Sequence, residues 1–141
     1  MLTALIVEDE PLMREYLLFN LSSIHDQWIT AACAKDGVEA MALLNEQHFD
    51  LIITDIKMPF MDGIELIRNV KDGGVKFKTI IFSGYNEFEY AKLAVKLGVE
   101  DYILKPVAPD EFKNTMLKVI SELDEELRKN EDYNKQANSL R

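Results

Sequence analysis

Basic residues are scarce in this sequence. Lys and Arg total 16 against 25 Asp and Glu, giving a formal net charge of −9. A chain of that balance is repelled by phosphate backbones. No stretch gathers enough Lys and Arg for a basic footprint, so nucleic-acid binding by these residues is not expected. There is one cysteine, Cys33, inside an apolar stretch and outside any CxxC pattern. It cannot form an internal disulfide, and the default reading is a small core residue in a reducing, cytoplasmic setting. No apolar run approaches the roughly 20 residues that cross a bilayer. The opening "MLTALIVEDE" has no basic region and turns acidic after a short apolar run, so neither a membrane span nor a signal peptide is expected. The two histidines, His25 and His48, stand alone and match no metal or triad spacing. Internal repeats and low-complexity tracts are also missing.

What remains is an ordinary globular composition, 48% apolar over 141 residues, enough for one well-buried core and a tail. "TALIV" (3–7) reads as a strand buried on both faces. Pro11 suits the first turn of a helix, and Met13, Tyr16, Leu17 and Leu21 follow at helical spacing. "WITAACA" (28–34) is a weaker second strand, with Trp28 a packing residue. After Asp36-Gly37, "VEAMALLNEQ" is a good helix former with Ala40, Leu43 and Leu44 on one side. "DLIIT" (50–54), "KTIIFS" (78–83) and "DYIL" (101–104) read as the third to fifth strands. Helices are expected over 62–71, ended by Gly73-Gly74, and over 86–98, capped by Asn86 and stopped by Gly98. From Pro109 the pattern is helical through at least Arg128.

Five strands alternating with five helices imply βαβ units, hence a parallel sheet with helices on both faces. In such open sheets functional groups gather where strands end, near a reversal in strand order. The first strand ends in Glu8-Asp9-Glu10, the third in Asp55, the fourth in Ser83-Gly84 and the fifth in Lys105-Pro106. Taken alone, Asp55 would be a turn aspartate bonding nearby amides. A parallel sheet instead brings these ends to one rim, holding several carboxylates, a hydroxyl and an ammonium. Clustered carboxylates resist ionising together unless a cation intervenes, and a hard divalent cation with oxygen ligands resolves this.

Four segments, "IVEDEP" (6–11), "DLIITDIKMPFMDG" (50–63), "TIIFSGY" (79–85) and "DYILKPV" (101–107), resemble in order and spacing the receiver domains of two-component response regulators. The resemblance covers about residues 3 to 121. It implies an α/β, flavodoxin-like (CheY-like) five-stranded parallel sheet of order 2-1-3-4-5. "FSGYNEFEYAK" and the polar tail look most like regulators with an AraC-type DNA-binding output domain, which is expected beyond residue 141.

The resemblance also implies roles. Asp55 would accept a phosphoryl group from a sensor histidine kinase and then control an output, transcription being the one implied. Glu8 and Asp9 would hold Mg²⁺ together with Asp55 and the backbone carbonyl of Lys57; Glu8 stands where many members carry Asp. Lys105 would reach a phosphoryl oxygen and balance the charge on Asp55, the Lys105–Pro106 bond is expected to be cis, and Ser83 would bond the phosphoryl group. Tyr102 occupies the aromatic switch position. Met58-Pro59 and Asp62-Gly63 shape the loop and start the next helix. Catalysis would extend only to the domain's own Mg²⁺-dependent phosphorylation and dephosphorylation. An interaction-only receiver is the alternative. An aspartate-nucleophile phosphatase is disfavoured, because its second aspartate would fall at Lys57. The receiver is expected over 1–121 and a helical extension or linker over 122–141. Across that boundary Met116, Ile120, Leu123 and Leu127 form a short heptad-like seam that could pair in a homodimer.

Overall fold

The computed structural model describes residues 2–25, 29–73, 77–84 and 88–139, in which strands and helices alternate. They are β1 (Leu2–Val7), α1 (Pro11–His25), β2 (Ile29–Ala34), α2 (Gly37–Glu46) and β3 (Leu51–Asp55), followed by α3 (Gly63–Asp72), β4 (Lys78–Ser83), α4 (Phe88–Leu97), β5 (Asp101–Leu104) and α5 (Pro109–Ser139). The strands form one sheet of order β2-β1-β3-β4-β5, every pairing parallel. The expected architecture and strand order are thus found.

The near-continuous apolar strands are explained by what covers them. Ala4, Ile6, Ile53, Ile80 and Phe82 point to one face, where Leu17 and Leu21 of α1 and Phe112, Met116 and Val119 of α5 meet them. Leu5, Val7 and Ile52 point to the other face, against Ala40 of α2 and Leu66 and Val70 of α3. Ile81 meets Ile64 and Ile67 of α3 and Ala94 of α4 there. Alternate side chains on β1, β3 and β4 therefore serve two cores, which keeps these strands largely apolar, with Thr54 and Thr79 as buried polar exceptions.

Local signals fix the helix starts. Asp36 and Asp62 occupy N-cap positions, and their carboxylates accept from the amides of Glu39 and Glu65, each at 2.8 Å. Gly98, just past α4, has φ 76, the left-handed turn that a helix end favours. The expected roles of Trp28, Gly74 and Asn86 lie outside the described residues.

The last helix continues the expected helical pattern, and its apolar stripe packs inward. It runs unbroken to Ser139, through residues 122–139 of the expected helical extension. Met116, Ile120 and Leu123 are buried in the core shared with α1 and the sheet. That stripe faces its own sheet, so these three residues offer no seam to a second copy; the side chain of Leu127 lies outside the described residues. Lys78, at the start of β4, reaches across to this helix and lies 2.9 Å from Glu126 and 3.5 Å from Glu100. Among the described residues, no helix is long and apolar enough to cross a membrane.

Candidate functional site

The register of the sheet assembles the site. Val7 pairs with Thr54, so the residues that follow, Glu8 and Asp55, emerge side by side from adjacent strands. These two strands leave toward helices on opposite faces, which opens the crevice that parallel sheets use for binding. Asp55 itself pairs with Phe82, which places Ser83 one residue further along the next strand. Ser83 pairs with Leu104, and Lys105 follows directly. All four expected strand ends therefore lie on one rim.

Within that rim, Lys105 Nζ donates to Asp55 Oδ2 at 2.8 Å and lies 3.5 Å from Glu8 Oε2. The Lys105–Pro106 bond is cis, as expected. The Ile56 amide donates to Asp55 Oδ1 at 2.8 Å, fixing the carboxylate from the chain side. Glu8 and Asp55 are both buried, whereas Asp9 is exposed. Burial raises the Asp55 pKa despite the opposing hydrogen bond and charge of Lys105. Glu8 is pushed up to about 7, chiefly by burial and then by the charge of Asp55, with Lys105 acting in the other direction. Burial acts against the Lys105 charge, but the hydrogen bond and charge of Asp55, with Glu8 and Glu10, outweigh it and raise its pKa.

Lys105 is ion-paired with both Asp55 and Glu8, and the Asp9 carboxylate joins them, so carboxylates outnumber ammonium groups in this cluster. Each of the three brings an oxygen to within 4.8 Å of the others. Among the described residues Glu8 Oε2 is buried without a hydrogen-bond partner, a costly condition for a carboxylate oxygen. An all-oxygen donor set, a buried carboxylate oxygen without a hydrogen bond and an excess of carboxylates over ammonium groups fit a hard divalent cation such as Mg²⁺.

Ser83 and Tyr102, the expected switch pair, hydrogen-bond to each other through their hydroxyls. Ser83 also donates to the carbonyl of Gly84 at 3.2 Å, so its hydroxyl faces Tyr102 and the loop after β4. Lys57 is exposed two residues beyond Asp55, on the loop that closes over the rim. This loop is pinned by Gly63, whose amide donates to the Ile56 carbonyl at 2.7 Å. A Cβ on Gly63 would collide with the Asp55 carbonyl oxygen, so only glycine allows α3 to start this close to β3. His48 lies at the other end of the sheet, 3.3 Å from Asp50, and takes no part in the rim.

Three supporting residues escaped the sequence reading. Arg14 donates to the Glu8 carbonyl at 2.8 Å, and Tyr16 donates to the Val107 carbonyl at 2.7 Å, tying α1 to both ends of the rim. Nothing in their spacing distinguishes them from surface and core positions of an amphipathic helix. Phe60, in the loop after β3, has φ 70, a backbone state that bulky residues seldom adopt. A Gly or Asn there would have signalled that turn, and Phe hides it.

A doubly wound parallel sheet carrying an acidic, lysine-bridged rim at the β1/β3 crevice defines the class of the molecule. Within that class the chain belongs to the response regulator receiver domain family, whose model matches residues 4–117. It is 39% identical over 107 residues to an uncharacterized response regulatory protein of Staphylococcus epidermidis, covering 76% of this chain and 42% of that one. It is 37% identical over 107 residues to the transcriptional regulatory protein HptR of Staphylococcus aureus, with the same coverage. The uncharacterized transcriptional regulatory protein YesN of Bacillus subtilis is 41% identical over 90 residues, 64% of this chain and 24% of that protein. The chain thus spans less than half the length of these relatives. Among solved structures, the REC domain of AraT, a response regulator from Geobacillus stearothermophilus, superposes with a TM-score of 0.79 at 32% identity, covering 89% of this chain and 98% of that one. The chemotaxis protein CheY4 of Vibrio cholerae gives 0.74 at 26% identity, covering 84% of this chain and 98% of that one.

Proposed function

We propose that this chain is a phospho-accepting receiver in which Asp55 takes a phosphoryl group from the histidine of a sensor kinase. The observation that carries the reading is the Asp55 carboxylate held 2.8 Å from Lys105 Nζ inside a cluster of three carboxylates. An Asp55 oxygen attacks phosphorus and the P–N bond to the imidazole breaks. Its electron pair returns to the ring, which takes up a proton, and an acyl phosphate remains on Asp55. Such transfer depends on positioning and charge neutralisation more than on acid–base work. Lys105 stays against the phosphoryl oxygens. Glu8, Asp9, Asp55 and the Lys57 carbonyl would hold Mg²⁺, which when bound offsets the charge of the phosphoryl oxygens.

Ser83 exchanges its bond to Tyr102 for one to the phosphoryl group. Tyr102 then loses its bond to Ser83, and the balance between two arrangements of this edge shifts. The readout is an output domain beyond Arg141 that regulates transcription, supported by the names and greater lengths of HptR and YesN. An AraC-type module fits the "FSGYNEFEYAK" segment. The setting is cytoplasmic, the chemistry is limited to the domain's own phosphoryl group, and residues after the packed part of α5 act as a linker.

Incubation with acetyl phosphate and Mg²⁺ should add one phosphoryl mass to the intact protein. Asp55→Asn and chelation by EDTA should each abolish it. Labelling of Asp55→Asn at the wild-type level would remove Asp55 from its role, and labelling in EDTA would remove the cation.

A further inference from the structure

The acidic turn Glu8-Asp9-Glu10 is gripped at both ends by one residue of α1. The backbone amide of Arg14 donates to the Glu10 carbonyl at 3.0 Å, and its guanidinium Nη1 donates to the Glu8 carbonyl at 2.8 Å. Glu8 is tied from the other side as well. Its amide donates to the Ala34 carbonyl at 3.1 Å, one step past the pairing of Val7 with Ala34. Within the turn, the Glu10 amide donates to Glu8 Oε1 at 3.3 Å. Arg14 is half-buried. Burial raises the Cys33 pKa and the charge of Arg14 opposes it, which puts the guanidinium near the ends of β1 and β2.

These bonds converge on Asp9. Two peptide planes meet at its Cα, one carrying the Glu8 carbonyl and the other the Glu10 amide. Arg14 pins the first, and the Glu8 carboxylate pins the second. With both planes set, the direction of the Asp9 Cβ is set, and only its side-chain torsions remain to aim the carboxylate. Asp9 is exposed whereas Glu8 and Asp55 are buried, so its aim depends on its backbone more than on packing.

We propose that Arg14 is a positioning residue for the divalent cation: by holding the Glu8 carbonyl it fixes the Asp9 backbone and presents the Asp9 carboxylate to the ion. This rests on the cation being held by Glu8, Asp9 and Asp55. Arg14 is no ligand, because a guanidinium carries donors only. Its charge and its geometry act in opposite directions. A fixed positive charge near the site repels the cation, so if Arg14 acted as a charge alone its removal would tighten binding. If it positions Asp9, its removal loosens binding. The sign of the change separates the two.

Mn²⁺ is the probe, because it takes the same oxygen donors and its free aqua ion is read directly by EPR without any phosphodonor. Arg14→Met keeps the apolar stem and removes both donor and charge, whereas Arg14→Lys keeps a charged donor. Arg14→Met should bind Mn²⁺ about tenfold more weakly than wild type, the low end of what groups behind a metal ligand contribute. Arg14→Lys should stay within about threefold of wild type. In acetyl phosphate labelling, Arg14→Met should need about tenfold more Mg²⁺ for half its maximal rate, with the saturated rate within about twofold of wild type. Melting in EDTA reports folding without the cation. If Arg14→Met does not fold there, Arg14→Gln, which also removes the charge, carries the same comparison. Mn²⁺ affinity in the neutral variant equal to or tighter than wild type would overturn the proposal. So would an equal loss in Arg14→Lys, or a saturated rate that falls as far as the affinity. Wild type that binds no Mn²⁺, or binds it equally after Asp9→Asn, would instead remove the cation ligands beneath it.

Discussion

Glu8 is the residue at which the electrostatic tension of the rim is most measurable. Its carboxyl is pushed up from the ordinary 4.5 of an open chain to about 7 in the fold, by burial and by Asp55. A carboxyl raised in this way makes the folded state bind the proton more tightly. Its contribution is fully present below pH 4.5 and is lost as pH climbs through about 7, so cation-free protein should lose on the order of 3 kcal/mol over that window. Thermal melts in EDTA from pH 5 to 8 should fall for wild type and stay nearly level for Glu8→Gln. A variant that falls as steeply as wild type would assign the loss to other groups. Gly63 provides a second test at this scale. Its missing Cβ admits the Asp55 carbonyl oxygen, so Gly63→Ala must push α3 away from the acceptor. The change should cost about 1–3 kcal/mol of stability, as overpacking does, and lower acetyl phosphate labelling in parallel. Unchanged melting and labelling would mean that the loop gives way freely.

Among the elements, α5 separates what a residue pattern can say from what it cannot. The spacing of Met116, Ile120 and Leu123 was readable as an apolar stripe, but a stripe does not name its partner. The same residues suit a coiled-coil seam or a sheet, and only the placement of β1, β3 and β4 decides for the sheet. Beyond Leu123 the helix is held by Lys78, which is mostly buried between Glu126, Glu122 and Glu100. The Lys78 pKa is raised, first by its hydrogen bond to Glu126, and burial only partly offsets this. Lys78→Ala should therefore leave the melting temperature within a few degrees of wild type, since partly exposed pairs contribute about 0–1 kcal/mol. It should nonetheless speed hydrogen exchange of amides past Glu122. Exchange unchanged there would show that packing alone holds the helix.

For the whole molecule, the alternation of short apolar strands with amphipathic helices was enough to expect a parallel sheet. The order of its strands was not, because periodicity reports which residues are buried and not which strands are neighbours. The order came from the resemblance of four segments, and it is found in the sheet. The rim was legible for a related reason. Asp55, Glu8, Ser83 and Lys105 each break an apolar strand at its carboxyl end, where a parallel sheet has room for polar groups. Arg14, Tyr16 and Phe60 were not legible, since their contacts or exposure depend on loops whose paths are set by tertiary packing.

Every role proposed for the rim depends on Asp55 being the phosphoryl acceptor. Its most direct test is chemical mapping: protein treated with acetyl phosphate and Mg²⁺ is reduced with borohydride, which converts an aspartyl phosphate to homoserine, and is then digested and sequenced by mass spectrometry. Homoserine is expected at position 55 and at no other carboxylate. Homoserine at position 9, a reduced glutamate at position 8, or Asp55 recovered intact from fully phosphorylated protein would contradict it.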